Sequence, residues 1–341
     1  MKLWGRGNKT KQQAAVDEVV ARLTGDRCWN DIALDAGVAA VRDGHLAAGL
    51  ALLRETRDDH ELRSLRGEAL GEAAVGQSDA IAGLFSEQLP RADAADILVW
   101  MGTTLIVEAW RIRGDSVAKE VGEDRFRLFH ATLRHARDPL LAAADLVPED
   151  PTPWASLLTY ARGMQLGRDE EDSLWRNVIQ RRPTHFHAHT LRLQALAAKW
   201  GGSHEEMFEF ARDAATTAPP GNPLTAILPI AHAEFRLAEM MRHLERGDEA
   251  AAISLLMNYF SPEVTAEVGV AERKWSTTAG PHPYSVVAHN VFGWTMLAIG
   301  DDARARWHLS RTNERPSSLP WTYEGDEKER FAEAILRLGI A

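Results

Sequence analysis

Apolar residues recur three and four positions apart through most of the chain. Ile32 to Val41, Leu46 to Leu53 and Leu237 to Leu244 each set them along one side of a 3.6-residue helix. Strict alternation over five or more residues, the mark of a half-buried strand, is scarce. The pattern therefore predicts an all-α protein. A membrane-spanning helix needs about 18 consecutive apolar residues. The most apolar stretch, Ile97 to Trp110, is broken by Gly102, Thr103, Thr104 and Glu108, so no membrane partner is expected.

Glycines punctuate this helical pattern. Candidate turns fall at Gly44, Gly76, Gly114, Gly167, Gly201–Gly202, Gly247 and Gly300, and spacings of 32, 38 and about 34 lie near the period of a helix-turn-helix repeat. Two stretches interrupt it. Residues 261–285 hold Pro262, Gly269, Gly280, Pro281 and Pro283 around Lys274-Trp275, and read as a long functional loop or insertion. Residues 312–323, with Pro316, Ser317, Ser318, Pro320 and Trp321, are expected to wrap back before a terminal helix from about Asp326 to Leu338, ended at Gly339. A proline-punctuated break runs from Pro148 to Pro153. The expected organisation is a tail and first helix over 1–29, an irregular helical-repeat half over 30–147, a more regular half over 148–315, and a C-terminal wrap with its helix over 316–341.

Several pieces share one arrangement. Gly293 lies ahead of the turn at Gly300 and is followed by Ala305, Leu309 and Pro316, while Gly247 is followed by Ala252, Leu256 and Pro262. Trp175 with Pro183, Phe210 with Pro219, Gly37 with Gly44 and Leu53, and Gly76 with Phe85 extend the series. Small residues on paired helices, a large apolar residue four positions on and a closing proline resemble a degenerate tetratricopeptide repeat. The segment Lys199 to Arg212 is also similar to a stretch of bacterial helical-repeat proteins, a likeness that carries no activity with it. The resemblance implies a TPR-like α-solenoid over roughly 30–315, a right-handed superhelix of antiparallel helix pairs whose first helices line a concave wall. In that register Ser156, Tyr160, Lys199, Met241, Asn290 and Trp294 face the groove. Such a set offers aromatic anchors, an amide and an ammonium to a peptide.

Charge narrows the partners. The 39 Lys and Arg against 49 Asp and Glu give a net charge of -10, whereas duplex nucleic acid calls for a basic face. The one clean basic segment, Lys2, Arg6, Lys9 and Lys11, reads as a solvated tail. The single cysteine, Cys28, cannot form an internal disulfide and reads as a buried inert thiol. The N-terminus lacks the apolar core of a secretory signal, and a cytoplasmic location is expected.

Candidate chemistry is sparse. His185, His187 and His189 follow Pro183, and His185 and His189 share a helix face at a spacing able to hold a metal, with His204 and Glu205 one hairpin further on. Local spacing fixes no third ligand. No metal or other cofactor is therefore expected, and His185, His189 and His204 stand as weak candidates. Thr184 is expected to cap the histidine helix, and Ser203 with Glu206 to form a capping box. HExxH, GxSxG, GxxxxGK[ST] and Glu-x-x-His are all absent, so no catalytic residue is assigned and enzymatic activity stays open. The expected function is an interaction or regulatory adaptor holding a protein or peptide in its groove, with a homodimer as a further arrangement. The alternative is an enzyme or small-molecule binder whose pocket is roofed by the 261–285 loop, with His185, His187, His189, His204, Lys274 and Trp275 contributing.

Overall fold

Helix starts are written into the local side chains. Asp31, Asp59, Ser203, Asp248, Ser261, Asp301 and Asp326 each accept a backbone N–H two or three residues further on. Each such cap is worth about 1 kcal/mol. Helix ends are equally local. Gly44, Gly76, Gly114, Gly201, Gly247 and Gly300 all adopt positive φ, the conformation that lets a helix turn back without a β-carbon penalty. Gly167 instead keeps a φ of -66° and precedes a helix start.

The computed structural model describes residues 4–25, 27–114 and 122–340, and is all-α, with no strand among the described residues. The first helix, α1 (Trp4–Arg22), belongs with residues 196–341 in one unit, and residues 31–195 form the other. The side chains of Lys2, Arg6 and Lys9 lie outside the described residues, while Lys11 is exposed. No helix among the described residues is long and apolar enough to cross a membrane.

The unit of residues 31–195 contains α2 (Ile32–Arg42), α3 (Leu46–Arg54), α4 (His60–Ala73), α5 (Ser78–Ala82), α6 (Arg91–Arg113), α7 (Glu123–Leu146), α8 (Thr152–Met164), α9 (Arg168–Arg181) and α10 (Phe186–Leu196). The long helices α6 and α7 pair antiparallel. Val99 packs with Ala143 near one end, and Ala109 with Leu133 and Phe129 near the other. Between these ends a β-carbon on Gly102 would come within 2.5 Å of Leu140 Cγ, so only glycine leaves room. On α7 the buried stripe Phe129, Leu133, Ala136 and Leu140 follows the spacing of a helix face turned to a core. Trp100 is fully buried, and its indole N–H donates to Leu70 O at 3.1 Å.

The other unit adds α11 (His204–Thr217), α12 (Ile227–Glu245), α13 (Glu249–Asn258), α14 (Pro262–Ser276), α15 (Ser285–Ile299), α16 (Asp302–Leu309), α17 (Ser318–Trp321) and α18 (Glu327–Arg337). Helix α15 is the central one. It is buried from Val286 through Met296 apart from half-buried Val287, and carries the polar residues His289, Asn290 and Thr295 into the core. Gly293 meets Leu309 across α15 and α16, whereas the repeat pattern pairs Gly293 with Ala305 and sets Leu309 toward the next helix pair. A β-carbon at residue 293 would lie 2.7 Å from Leu309 Cγ. Helix α1 packs on α18 through its buried face, which includes Val16 and Val19, and Arg22 pairs with Glu314 at 2.8 Å.

One expectation is corrected here. The 261–285 stretch is a helix over Pro262–Ser276, with only the remainder irregular. Pro262 occupies the first helical turn, where its missing N–H has no intrahelical partner to lose, and Ser261 caps the start by accepting from Val264 N. The proline marks a beginning, and Gly269 sits in the helix interior. The 312–323 segment does precede a terminal helix, α18, capped by Asp326, and Trp321 packs edge-on against Phe331 at 5.4 Å.

Candidate functional site

The described surface departs most from ordinary packing on α12 and α13. Residues Ile227 to Glu234 of α12 are buried throughout, but from Leu237 onward the helix emerges. Helix α13 buries only Ala252. Met241, Leu244, Ile253, Leu256 and Met257 are consequently exposed, Ile253 at 57% and Met257 at 79%. Single exposed apolar residues are normal, whereas five on one hairpin form a patch of the sort that marks an interaction site. Its margin carries both signs of charge, with Arg242 and Arg246 beside Glu245, Asp248 and Glu249.

At its inner end the patch runs into a narrow slot lined by Leu237, Met240, Leu256, Arg236, Trp294 and Tyr323. Arg236 is 8% exposed; its guanidinium lies over the Trp294 ring at 5.0 Å and donates to Glu324 Oε1 at 3.1 Å. Next to it Glu234, almost wholly buried, accepts Lys199 Nζ at 2.7 Å and the Tyr323 hydroxyl. Residues 323 and 324 thus supply both a phenol and a carboxylate to α12.

Behind the slot runs a ladder of rings. Phe208, Phe235 and Tyr259 follow one another at 5.7 and 5.6 Å, and Phe260 reaches Trp294 at 6.3 Å. His232 sits among them, its Nδ1 2.7 Å from the Tyr259 hydroxyl and its Nε2 3.2 Å from Glu267, which in turn accepts Arg212 at 2.6 Å. A Tyr–His–Glu chain resembles the layout of an activated nucleophile, but its electrostatics run the other way. Burial, with the Glu267 charge adding to it, pushes the Tyr259 phenol up, away from an activated phenolate. The chain therefore ties α11, α12 and α14 together.

The sequence-selected residues divide between the two units. In residues 31–195, Ser156 is half-buried with its hydroxyl 3.2 Å from Thr103 Oγ1, and Tyr160 is buried in the α6–α7–α8 core. In the other unit Lys199 and Met241 are exposed, Lys199 reaching Glu234 and Met241 lying in the apolar patch. Asn290 is fully buried. It donates to Arg315 O at 2.9 Å and accepts the Trp321 indole N–H at 2.9 Å, while Trp294 is 3% exposed against Arg236. Trp294 and Met241 thus fall on or beside the slot and its patch, and Asn290 is held by the C-terminal wrap. Arg236, Tyr323 and Ile253 were not selected from sequence. The one available signal was the crowding of large apolar residues in Ile253-Ser254-Leu255-Leu256-Met257, more than one buried helix face requires.

The histidines each have a local task. His185, not Thr184, precedes α10 and caps it, its Nδ1 accepting from Ala188 N at 3.2 Å. Accepting through Nδ1 occupies a lone pair that a metal would need. Burial, with the neighbouring His187 and His189 charges, holds this imidazole well below its usual range, in the neutral form. His189 Nδ1 meets His185 O at 2.8 Å, His187 pairs with Glu68, and His204 lies 3.4 Å from Glu239 and edge-on to Phe235. Among the described residues no three His, Cys, Asp or Glu come together in a way that could hold a metal. The capping box is present in a modified form, with Glu206 N donating to Ser203 Oγ at 3.1 Å and the Ser203 hydroxyl 3.2 Å from Glu206 Oε2. Cys28, half-buried, lies 3.8 Å from Arg315 O, and desolvation raises its thiol.

No protein-family model matches the chain, and no solved structure matches it significantly.

Proposed function

We propose that this protein is a cytoplasmic interaction module of TPR-like helical pairs, and that it docks an amphipathic helix of a partner protein on the α12–α13 face. The observation that carries the reading is the row of exposed apolar side chains Met241, Leu244, Ile253, Leu256 and Met257 on one hairpin. Antiparallel pairing of α6 with α7, and the close approach of Gly293 to Leu309, support the repeat-like part of the reading. Two packed helices present a groove whose spacing suits apolar residues at i, i+3, i+4 and i+7 of a third.

The margin of the patch favours a protein over a lipid surface. A membrane-docking helix carries a cationic polar face, whereas Arg242 and Arg246 here alternate with Glu245, Asp248 and Glu249. Fully burying one Leu, Ile or Met side chain contributes about 1.5–3 kcal/mol. Ile253→Asp is therefore expected to weaken binding at least about tenfold. Site-directed photo-crosslinking from the patch is the test, and its outcomes close the Discussion.

A further inference from the structure

A second hollow, in the unit of residues 31–195, is large enough for a ligand. It encloses about 320 Å³ between the start of α4, the start of α6 and the connection from α7 to α8. Small-molecule sites generally begin near this size.

Its floor is rigid and already neutralised. Arg63, 3% exposed, holds Asp150 at 2.6 Å and Asp96 at 2.7 Å, and Arg57 covers the outer side of Asp96. Asp150 also accepts Thr152 N at 2.9 Å. These groups are matched to one another and leave no net demand for a counter-ion. The rim differs. Arg91 donates only to a backbone carbonyl, Asp145 O at 3.2 Å, and neither it nor Asp58 nor Glu149 has an ion-pair partner among the described residues. Ala92, Leu146 and Val147 supply an apolar wall.

We propose that this cleft binds a free α-amino acid or comparably small zwitterion. Its carboxylate would sit at Arg91, its ammonium at Glu149 and Asp58, and its side chain along Leu146 and Val147. An anion alone would meet two unpaired carboxylates, and a cation alone would meet Arg91. A zwitterion satisfies both signs over a neutral floor.

The test is calorimetry and thermal shift on the full chain with the twenty free L-amino acids, each beside its N-acetyl and its amide derivative. At least one free amino acid is expected to bind saturably and raise the unfolding temperature, with both derivatives at least about tenfold weaker. Arg91→Met and Glu149→Gln, both at exposed positions, are each expected to weaken it about tenfold or more while leaving the unliganded unfolding temperature unchanged. Absence of saturable binding by any of the twenty overturns the proposal. So does binding that survives both substitutions, or derivatives that bind as well as the free amino acid.

Discussion

His289 and His308 face each other through like nitrogens, Nδ1 to Nδ1 at 3.0 Å, in the core of the unit that holds α15 and α16. Only one of the two nitrogens can carry a proton at that distance. Glu272 Oε1 lies 3.3 Å from His308 Nε2, and its charge favours the His308 proton on that side and His289 as the donor between the rings. Trp275 and Phe292 stack against His308 at 5.8 and 5.5 Å and keep water away.

This pair sets a pH dependence. Burial, with the neighbouring His308 charge, takes His289 down to about 3, and burial also lowers His308 against the pull of Glu272. The unfolded chain takes up these protons near pH 6.5 while the folded chain does not, so acidification favours unfolding. Stability is expected to fall as pH drops below about 6.5, and for His289 to go on falling towards about 3, by up to roughly 1.4 kcal/mol per pH unit for each imidazole. Urea unfolding at pH 7.5, 6 and 5 checks this, with a shallower slope for His289→Gln. An identical slope in the variant would remove the pair from the account.

Arg63 joins two buried carboxylates, and removing it strands them. Despite burial, the Asp150 and Asp96 charges raise its guanidinium above the ordinary value, so it stays a cation throughout. Arg63→Met is expected to cost about 3–5 kcal/mol, because breaking one side of a buried network leaves uncompensated charge. Arg63→Lys keeps the charge but not the fork, and falls between. Denaturant titration decides, and a loss below about 1 kcal/mol for the methionine variant would contradict it.

Two glycines make close contacts of different kinds. A β-carbon on Gly202 would sit 2.5 Å from the Leu196 carbonyl carbon, which is backbone, whereas one on Gly293 meets the flexible end of Leu309. Gly293→Ala is expected to destabilise by about 1–3 kcal/mol, reduced by the better helix propensity of alanine. Gly202→Ala is expected to cost more, since backbone cannot rotate aside. Their order in urea midpoints is the measurement, and the reverse order would show that residues 196–202 give way more easily than the α15–α16 contact.

Much of the helical architecture was legible because its signals are local. Apolar spacing marked the helices, and six of the seven glycine sites picked as turns adopt positive φ. The same pattern marked Gly293 and Leu309 as packing positions, but not their contact with each other. What escaped involved residues whose meaning depends on position. Pro262 read as a breaker, yet in the first turn after Ser261 it opens a helix. His185 read as a ligand candidate and Thr184 as the cap, while the imidazole itself performs the capping. Asn290 and Trp294 were expected along a groove wall and are instead buried, because residues 315, 321 and 324 that engage Asn290 or reach the arginine over Trp294 are distant along the chain. The α13 patch was hidden for a related reason: nothing local says which apolar face finds no neighbour.

The docking face is tested most directly by a benzophenone side chain placed at position 257, with the exposed position 87 as control, followed by irradiation in cells. The account predicts an adduct with a distinct partner protein from position 257. That adduct should disappear when Ile253→Asp is added, with folding stability changed by no more than about 0.5 kcal/mol by this exposed substitution. No adduct, a self-adduct alone, or the same adduct from position 87 would contradict it.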